Sequence, residues 1–375
     1  MPVDVLEEVV AALGSEEHVV LATVIATSGS SPASVHARML LKDQGCTSVG
    51  TVGGGQIERA VRIEAQRLIP LRKGGLLSFH LDEEHPENDM LCGGTVEVLL
   101  EVMSQHDVPM LVALNGAKKE GNDSVLARVL TADGSIRREF IPTPELARQR
   151  LGSLLPPDTA DAEPIIREVL DRFKVRRLPL PEGELLLEPI AGTPELIVFG
   201  GGHIGKHVAR AASTVGFRVT VVDDRKEFAD AQRFPEADRT LFLEYGSAFH
   251  HLAVRPAASI VIVTRGHIPD EIVLEQALAT PAHYIGMIGS KRKVLTTFEH
   301  LVERGHSIEE LKRVHAPIGI NIGAVSPAEI AISIIAELIS LRRRGPGSRD
   351  GSMSFAASEI LSELRDRGTR DRGVP

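Results

Sequence analysis

The sequence predicts an α/β protein in two parts, an N-terminal mixed α+β domain followed by a domain built on a parallel sheet. Three observations carry this expectation. An apolar run at residues 196–199 leads into Gly-Gly-Gly-His-Ile-Gly at 200–205 and then into a helical pattern. A second apolar run, 218–223, ends in the acidic pair Asp223 and Asp224. Beyond it, strand-like runs at 240–243, 259–263 and 283–287 alternate with helix-like segments. Repeated strand–helix units build a parallel sheet covered on both faces, which makes this second part Rossmann-like.

Taken in order, residues 3–13 place Val5, Leu6, Val9, Val10 and Leu13 on one helical face. Residues 18–26 are a β-rich run closed by a Ser-Gly-Ser-Ser-Pro turn at 28–32, and 38–42 and 47–52 read as further strands. Gly53, Gly54 and Gly55 open a helix that Pro70 stops. Strands are expected at 76–81 and 95–102, with an acidic loop at 82–89 between them. Shorter strands are expected across 109–140, broken by Gly116, Gly121 and Gly134. Residues 141–190 contain eight prolines and read as a linker with some helix at 145–154 and 164–173. The expected domains are therefore 1–140, the linker 141–190, and 191–345, which closes on a long helix at 328–342. A Gly/Arg/Asp/Ser-rich tail, 346–375, is expected to be mobile.

Bulk composition excludes several classes. At 375 residues two or three domains are expected. A 43% hydrophobic content supplies cores, and 3% aromatics without Trp means they are built from aliphatic side chains. The net charge of −9 argues against a nucleic-acid partner. No apolar run reaches the roughly 18 residues of a membrane span, and residues 1–8 lack a signal-peptide pattern. Two cysteines, Cys46 and Cys92, are too few for a disulfide scaffold, so a reduced cytoplasmic setting is expected.

The glycine motif is the first candidate site. Gly200 serves a tight turn, Gly202 the close approach of backbone to a pyrophosphate, and Gly205 helix-on-strand packing. The following helix turns its amides and positive dipole end toward an anion. Asp223 stands where ribose hydroxyls are usually held and disfavours a 2′-phosphate, whereas Arg225 could accommodate one. His203 is expected to contact phosphate or ligand, and His207, four residues on, to be solvated rather than to share a metal with it. Ligands of open α/β sheets sit outside the carboxyl ends of strands, which brings Arg265, His267 and Asp270 to the cleft, although a helix cap is the alternative for Asp270. Ser290 is a helix cap. Lys291, Arg292 and Lys293 crowd the first turn behind it, opposing the helix dipole unless an anion binds there. The apolar loop 317–323 either lines the same cleft or is a crossover into the last helix.

In the N-terminal part, Cys92 precedes Gly93 and Gly94, which leave its sulfur approachable and free amides to steady a thiolate. A buried inert cysteine is the alternative. Gly53, Gly54, Gly55 and Glu58 form either a second anion-binding amide cluster or a turn with a favourable first-turn carboxylate. Cys46 lies in an apparent hairpin turn and reads as structural.

Together and in order, these segments resemble the XdhC/CoxI family of xanthine dehydrogenase accessory proteins. The matching stretches are 50–58, 90–98, 199–205, 222–225, 264–267, 284–290, 316–323 and 326–331, spread over about residues 20–342. The chain departs from the pattern where Val35 and His36 replace an expected Pro-Gly, and where Asp89 replaces a usual glycine. The resemblance implies an accessory protein that binds the molybdenum cofactor, as molybdopterin or its dinucleotide, and aids its sulfuration and insertion into a molybdenum hydroxylase apoenzyme. It implies work with a cysteine desulfurase, and a homodimer is expected. It makes Cys92 the sulfur or molybdenum contact and Gly200, Gly202 and Gly205 the dinucleotide cradle. Two other readings stay open: an NAD(P)-dependent oxidoreductase, for which no accompanying Ser/Tyr/Lys or His/Asp constellation is evident, and a nucleotide-sensing regulatory module.

Overall fold

The computed structural model describes residues 3–80, 94–152 and 162–344, with Ser352 and Ser362. The chain divides into two compact units, Val3–Gly192 and a second beginning at Thr193. Cys92 and Gly93 lie outside the described residues, as does the expected acidic loop at 82–89.

The first unit opens with α1 (Val5–Leu13), β1 (His18–Ser28), β2 (Arg38–Lys42), β3 (Thr47–Gly50), α2 (Gly55–Leu68), β4 (Gly75–His80) and β5 (Thr95–Ser104). These strands form an antiparallel sheet in the order β3-β2-β1-β5-β4. Strand side chains alternate between faces, and β1 is buried on both. Val20, Ala22 and Val24 meet Ile57, Val61 and Ala65 of α2. Val19 and Leu21 face a cluster with Leu6 and Val9 of α1. This explains why β1 carries apolar residues at both odd and even positions, over 19–22 and 24–26.

Next come α3 (Val108–Lys119), β6 (Ser124–Thr131), β7 (Ile136–Ile141), α4 (Ala147–Leu151), α5 (Ala162–Arg172), β8 (Arg176–Leu180) and β9 (Gly183–Ile190). A second antiparallel sheet runs β7-β6-β9-β8. Two expectations are corrected here. Residues 108–119 form a helix rather than a short strand: Pro109 sits in its first turn, Leu111 and Leu114 are buried, and a Cβ on Gly116 would meet nothing. Residues 141–190 are no linker. Val125, Ala127 and Leu187 of this sheet pack on Ile166 and Val169 of α5. The prolines are tolerated because Pro179 lies on the edge strand β8 and Pro189 lies beyond the Gly183–Leu187 stretch that β8 pairs.

A layer of buried charge joins the two sheets. Arg128 lies 2.7 Å from Glu101 and 2.6 Å from Glu188, and all three are essentially fully buried. Arg138 reaches Glu101 at 2.9 Å and Arg38 reaches Glu188 at 2.5 Å. Burial alone would raise the Glu188 carboxyl, but Arg38, Arg128 and His36 overcome that and hold it well below the usual carboxylate range. His36 Nδ1 lies 3.1 Å from Glu188. Its φ of +70° is left-handed, which accounts for the glycine expected at this position.

The second unit contains β10 (Glu195–Phe199), α6 (His203–Thr214), β11 (Arg218–Asp223), β12 (Arg239–Phe242), β13 (Ala258–Ile262), α7 (His267–Leu278), β14 (Tyr284–Met287), α8 (Lys291–Glu303), α9 (Ile308–Leu311), β15 (Val314–His315) and α10 (Pro327–Arg344). Its parallel sheet is ordered β12-β11-β10-β13-β14-β15. On one face Leu196 and Val198 pack with Val208 of α6 and Ile334 and Leu338 of α10. On the other, Ile197 and Phe199 pack with Val273 of α7 and Phe298 of α8. The two-residue β15 escapes sequence reading because so short a strand has no periodicity. The expected tail motion does not describe Ser352: it bridges Ile320 and its Oγ bonds Glu337.

Candidate functional site

The site is set by where β10 ends. Gly200 carries a φ of +112°, and a Cβ there would stand 2.4 Å from the Val263 carbonyl oxygen. A Cβ on Gly205 would stand 1.8 Å from the Gly200 carbonyl oxygen, so only glycine lets α6 pack this closely on the turn. Gly202 differs from both. Nothing lies within 4 Å of its would-be Cβ, so its backbone faces open space at the start of α6. A ligand can approach the main chain there, where helix amides and dipole favour an anion.

A cleft of about 430 Å³ opens at this point. Gly200, Gly202, His203 and Ile204 line it from the turn and α6, Arg225 and Phe228 from beyond β11, Val263, Thr264 and Arg265 from beyond β13, and Pro327 from α10. Arg225 stacks on Phe228 with its guanidinium carbon 3.6 Å from the ring centroid. Arg233 donates from Nε to the Gly201 carbonyl at 2.9 Å, tying the turn to the same segment.

Asp223 does not face this cleft as a free acceptor. It is fully buried, and its carboxylate accepts from the Gly201 amide at 2.7 Å, the Arg225 amide at 3.0 Å, Arg225 Nε at 2.9 Å and Arg225 Nη2 at 3.0 Å. Its work is to hold the glycine turn and to orient Arg225. Asp224 pairs with Arg265 at 3.0 Å.

Behind Arg265, Thr264 donates its amide to Asp270 at 3.0 Å and its hydroxyl at 2.5 Å, and Lys293 caps the other carboxylate oxygen. Burial pushes the Asp270 carboxyl up, against the lowering by Lys293 and Thr264. Asp270 is thus a support for the Thr264 loop rather than a cleft residue.

Of the other expected residues, His203 lines the cleft and His207 is exposed one turn on. His267 is exposed at the start of α7 and is not among the lining residues. Ser290 caps α8, accepting from the Lys293 amide at 3.4 Å. Lys291 borders a separate groove whose lining residues all belong to α8. The structure therefore does not bring Ser290 and Lys291 to the glycine cleft. Sequence reading missed Phe228, which carries no local signal, and although it noted Asp224, Thr264 and Lys293 in their segments it did not foresee the Asp224–Arg265 pair or the contacts of Thr264 and Lys293 with Asp270.

In the first unit, Gly53, Gly54 and Gly55 all have positive φ. Glu58 accepts from Thr51 Oγ1 at 2.6 Å and from the Gly54 amide at 3.2 Å. The turn thus carries its own anion. Gly94 is a packing position, since a Cβ would stand 2.3 Å from both the Ser28 and Ser30 carbonyl oxygens. Cys46 is an exposed free thiol. Among the described residues no group of three or more His, Cys, Asp and Glu is placed to hold a metal ion, and no helix is long and apolar enough to cross a membrane.

Comparison with known proteins adds to this geometry. Residues 196–338 match the XdhC Rossmann domain and residues 12–80 the XdhC and CoxI family. The chain is 33% identical over 182 residues to the uncharacterized protein YqeB of Escherichia coli (strain K12), covering 48% of this chain and only 33% of that protein. It is 26% identical over 341 residues to a probable xanthine dehydrogenase subunit of Bacillus subtilis (strain 168), covering 89% of this chain and 96% of that one. A crystal structure described as a xanthine dehydrogenase from Bacillus halodurans superimposes with a TM-score of 0.71 at 25% identity, covering 94% of this chain and 99% of that chain.

Proposed function

The chain belongs to the XdhC and CoxI family, and from that premise we propose that it is an accessory protein of xanthine dehydrogenase-type molybdenum hydroxylases. In this reading it binds the molybdenum cofactor, as molybdopterin or its dinucleotide, and supports its sulfuration and insertion. The observation that carries the reading is the cleft at the carboxyl ends of β10, β11 and β13, where an open glycine backbone meets two arginines.

The residues present fit the phosphate-bearing end of such a cofactor. The α6 amides and Gly202 admit the anion, and Arg265 reaches it with a charge-assisted bond. Arg225, held by Asp223 and Phe228, lends a fixed positive charge with little rotamer freedom left to lose. His203 stands at the entrance as a further donor. When bound, the cofactor supplies the molybdenum centre on which the hydroxylase depends; this chain holds and delivers it. Cys92, with Gly93 beside it, is the sulfur or molybdenum contact, a role that calls for a thiolate of lowered pKa. The partners in this reading are the hydroxylase apoenzyme, a cysteine desulfurase and a second copy of the chain, in the cytoplasm.

The test is to purify the protein from cofactor-producing cells and identify the bound ligand by mass spectrometry. A pterin phosphate or pterin dinucleotide is expected in the wild type and a depleted content in the Arg225→Ala, Arg265→Ala double variant. Equal content in both removes the cleft from the reading. Equal activation of the hydroxylase by wild type and Cys92→Ser removes Cys92 from it.

A further inference from the structure

Glu337, on α10, is a buried carboxylate far from the residues that line the glycine cleft in sequence. Its Oε2 accepts from the Tyr284 hydroxyl of β14 at 2.6 Å and from the Gly319 amide at 2.8 Å. Its Oε1 is taken by the hydroxyl of Ser352, which lies beyond the end of α10 at Arg344. His315 Nδ1, at the end of β15, stands 3.6 Å from that same Oε1, too far to bond. This nitrogen is closed to solvent and has no hydrogen-bond partner. Burial alone would raise the Glu337 carboxyl, but His315, Ser352, Tyr284 and Gly319 together hold it below the usual carboxylate range. Glu337 is therefore an anion wherever an imidazole titrates.

The other titratable groups about His315 do not compete for its proton. Burial, and then Glu337, push the Tyr284 phenol well up, so it stays a donor beneath the His315 ring, with the ring centroids 4.5 Å apart. Burial, and in smaller part His315 itself, push His283 toward its neutral form, and its Nδ1 meets the Ala258 carbonyl at 3.0 Å. Arg313 spends its guanidinium on the carbonyls of Leu278, Thr280 and Ala282.

We infer that Ser352 and His315 are alternative donors to Glu337 Oε1, so that Ser352 is a latch that protonation of His315 releases. While His315 is neutral it gains little from the carboxylate, and Oε1 keeps the hydroxyl. A charged imidazolium gains a buried ion pair, stronger than the hydroxyl's bond because both partners are ionised. An approach of about 0.6 Å by Nδ1 makes that bond. By linkage, whatever proton affinity the closed latch costs His315, protonation takes from the latch. The latch is therefore closed above the imidazole range and opens as pH falls through it. What it fastens is the loop beside the cleft. Ser352 pairs with Ile320 in an antiparallel bridge. Ile320 in turn donates its amide to the Ser333 carbonyl at 3.3 Å and accepts from Ser333 Oγ at 2.6 Å. The same loop runs on to Pro327, which lines the cleft. The device stands on this geometry whatever the cleft binds.

Hydrogen exchange read by mass spectrometry on the full chain tests this, with rates corrected for their intrinsic pH dependence. In wild type, peptides containing Ile320 and Ser352 are expected to lose protection about tenfold or more between about pH 7.5 and 5.5, the scale of one hydrogen bond to a charged group. Peptides from β10 should keep theirs, which separates release from unfolding. Ser352→Ala should be as unprotected at the higher pH as wild type is at the lower, and change little between them. His315→Phe keeps a ring on Tyr284 but cannot charge, and should stay protected at both. In NMR titrations the His315 ring should hold its proton more tightly in Ser352→Ala than in wild type. If wild-type protection is the same at both pH values, or His315→Phe loses it as wild type does, protonation of His315 releases nothing and the inference is overturned. Full protection of Ser352→Ala at the higher pH overturns it equally. Should His315→Phe fail to fold, an unchanged His315 titration in Ser352→Ala is the refuting result.

Discussion

Replacing Gly202 by Ala separates ligand approach from folding. The residue has φ −69° and ψ −164°, which alanine adopts without strain, and nothing stands within 4 Å of the added methyl. Losing a glycine N-cap costs about 0.5–1 kcal/mol, and the stiffer unfolded chain returns about 0.4–1 kcal/mol, so stability should be unchanged within about 0.5 kcal/mol. The methyl nevertheless occupies the space a phosphate needs beside the backbone, and affinity should fall by about tenfold or more, the scale of one lost charge-assisted contact. Gly205→Ala is its opposite. Helix propensity favours Ala by about 1 kcal/mol, yet the methyl would stand 1.8 Å from a backbone oxygen that cannot rotate away. Overpacking of about 1–3 kcal/mol or more should win, lowering the melting temperature by several degrees at about 2–4 °C per kcal/mol. Calorimetric melting and ligand titration on both variants decide the matter. Full-affinity binding by Gly202→Ala refutes close approach at that backbone. Wild-type melting of Gly205→Ala refutes the packing argument.

Three further outcomes follow from particular contacts. Asp223→Ala strands the buried Gly201 amide and loosens Arg225, and should cost about 2–4 kcal/mol by denaturant unfolding, whereas Asp224→Ala should cost less than about 1 kcal/mol. Because the Glu188 pKa is depressed in the folded chain, its contribution to stability is full above the unfolded carboxylate value near 4.5 and is lost as pH falls below it. Glu188→Gln should flatten that acid limb in pH-dependent unfolding, and should cost about 3–5 kcal/mol at neutral pH by leaving Arg128 short of a partner. His36→Gly removes a left-handed strain of about 1–2 kcal/mol and a contact with Glu188 of about 1 kcal/mol, so its unfolding midpoint should move little. A large destabilisation would show that the His36 contact outweighs its backbone cost.

The parallel sheet was legible in the sequence because its inner strands β10, β13 and β14 are buried on both faces and therefore mostly apolar, and because Gly200, Gly202 and Gly205 answer three separate backbone demands within six residues. The second sheet of the first unit was not. Its prolines imitate a linker, and only the packing of α5 on Leu187 and the edge position of Pro179 show why a strand survives them. Helix α3 hid behind Gly116 for a similar reason: a glycine on an open face costs little, and local sequence does not say which face is open. At the site, sequence determined that an anion-seeking turn ends β10 and that acidic and basic residues follow the neighbouring strands. Tertiary structure decided how those charges are spent. Asp223 and Asp224 are adjacent and chemically identical, but successive side chains leave a strand end in opposite directions. One carboxylate is consumed in holding the turn, and the other pairs with Arg265 from beyond β13. That difference depends on where Arg225 and Arg265 come to lie, 2 and 41 residues away along the chain from the carboxylates they bind.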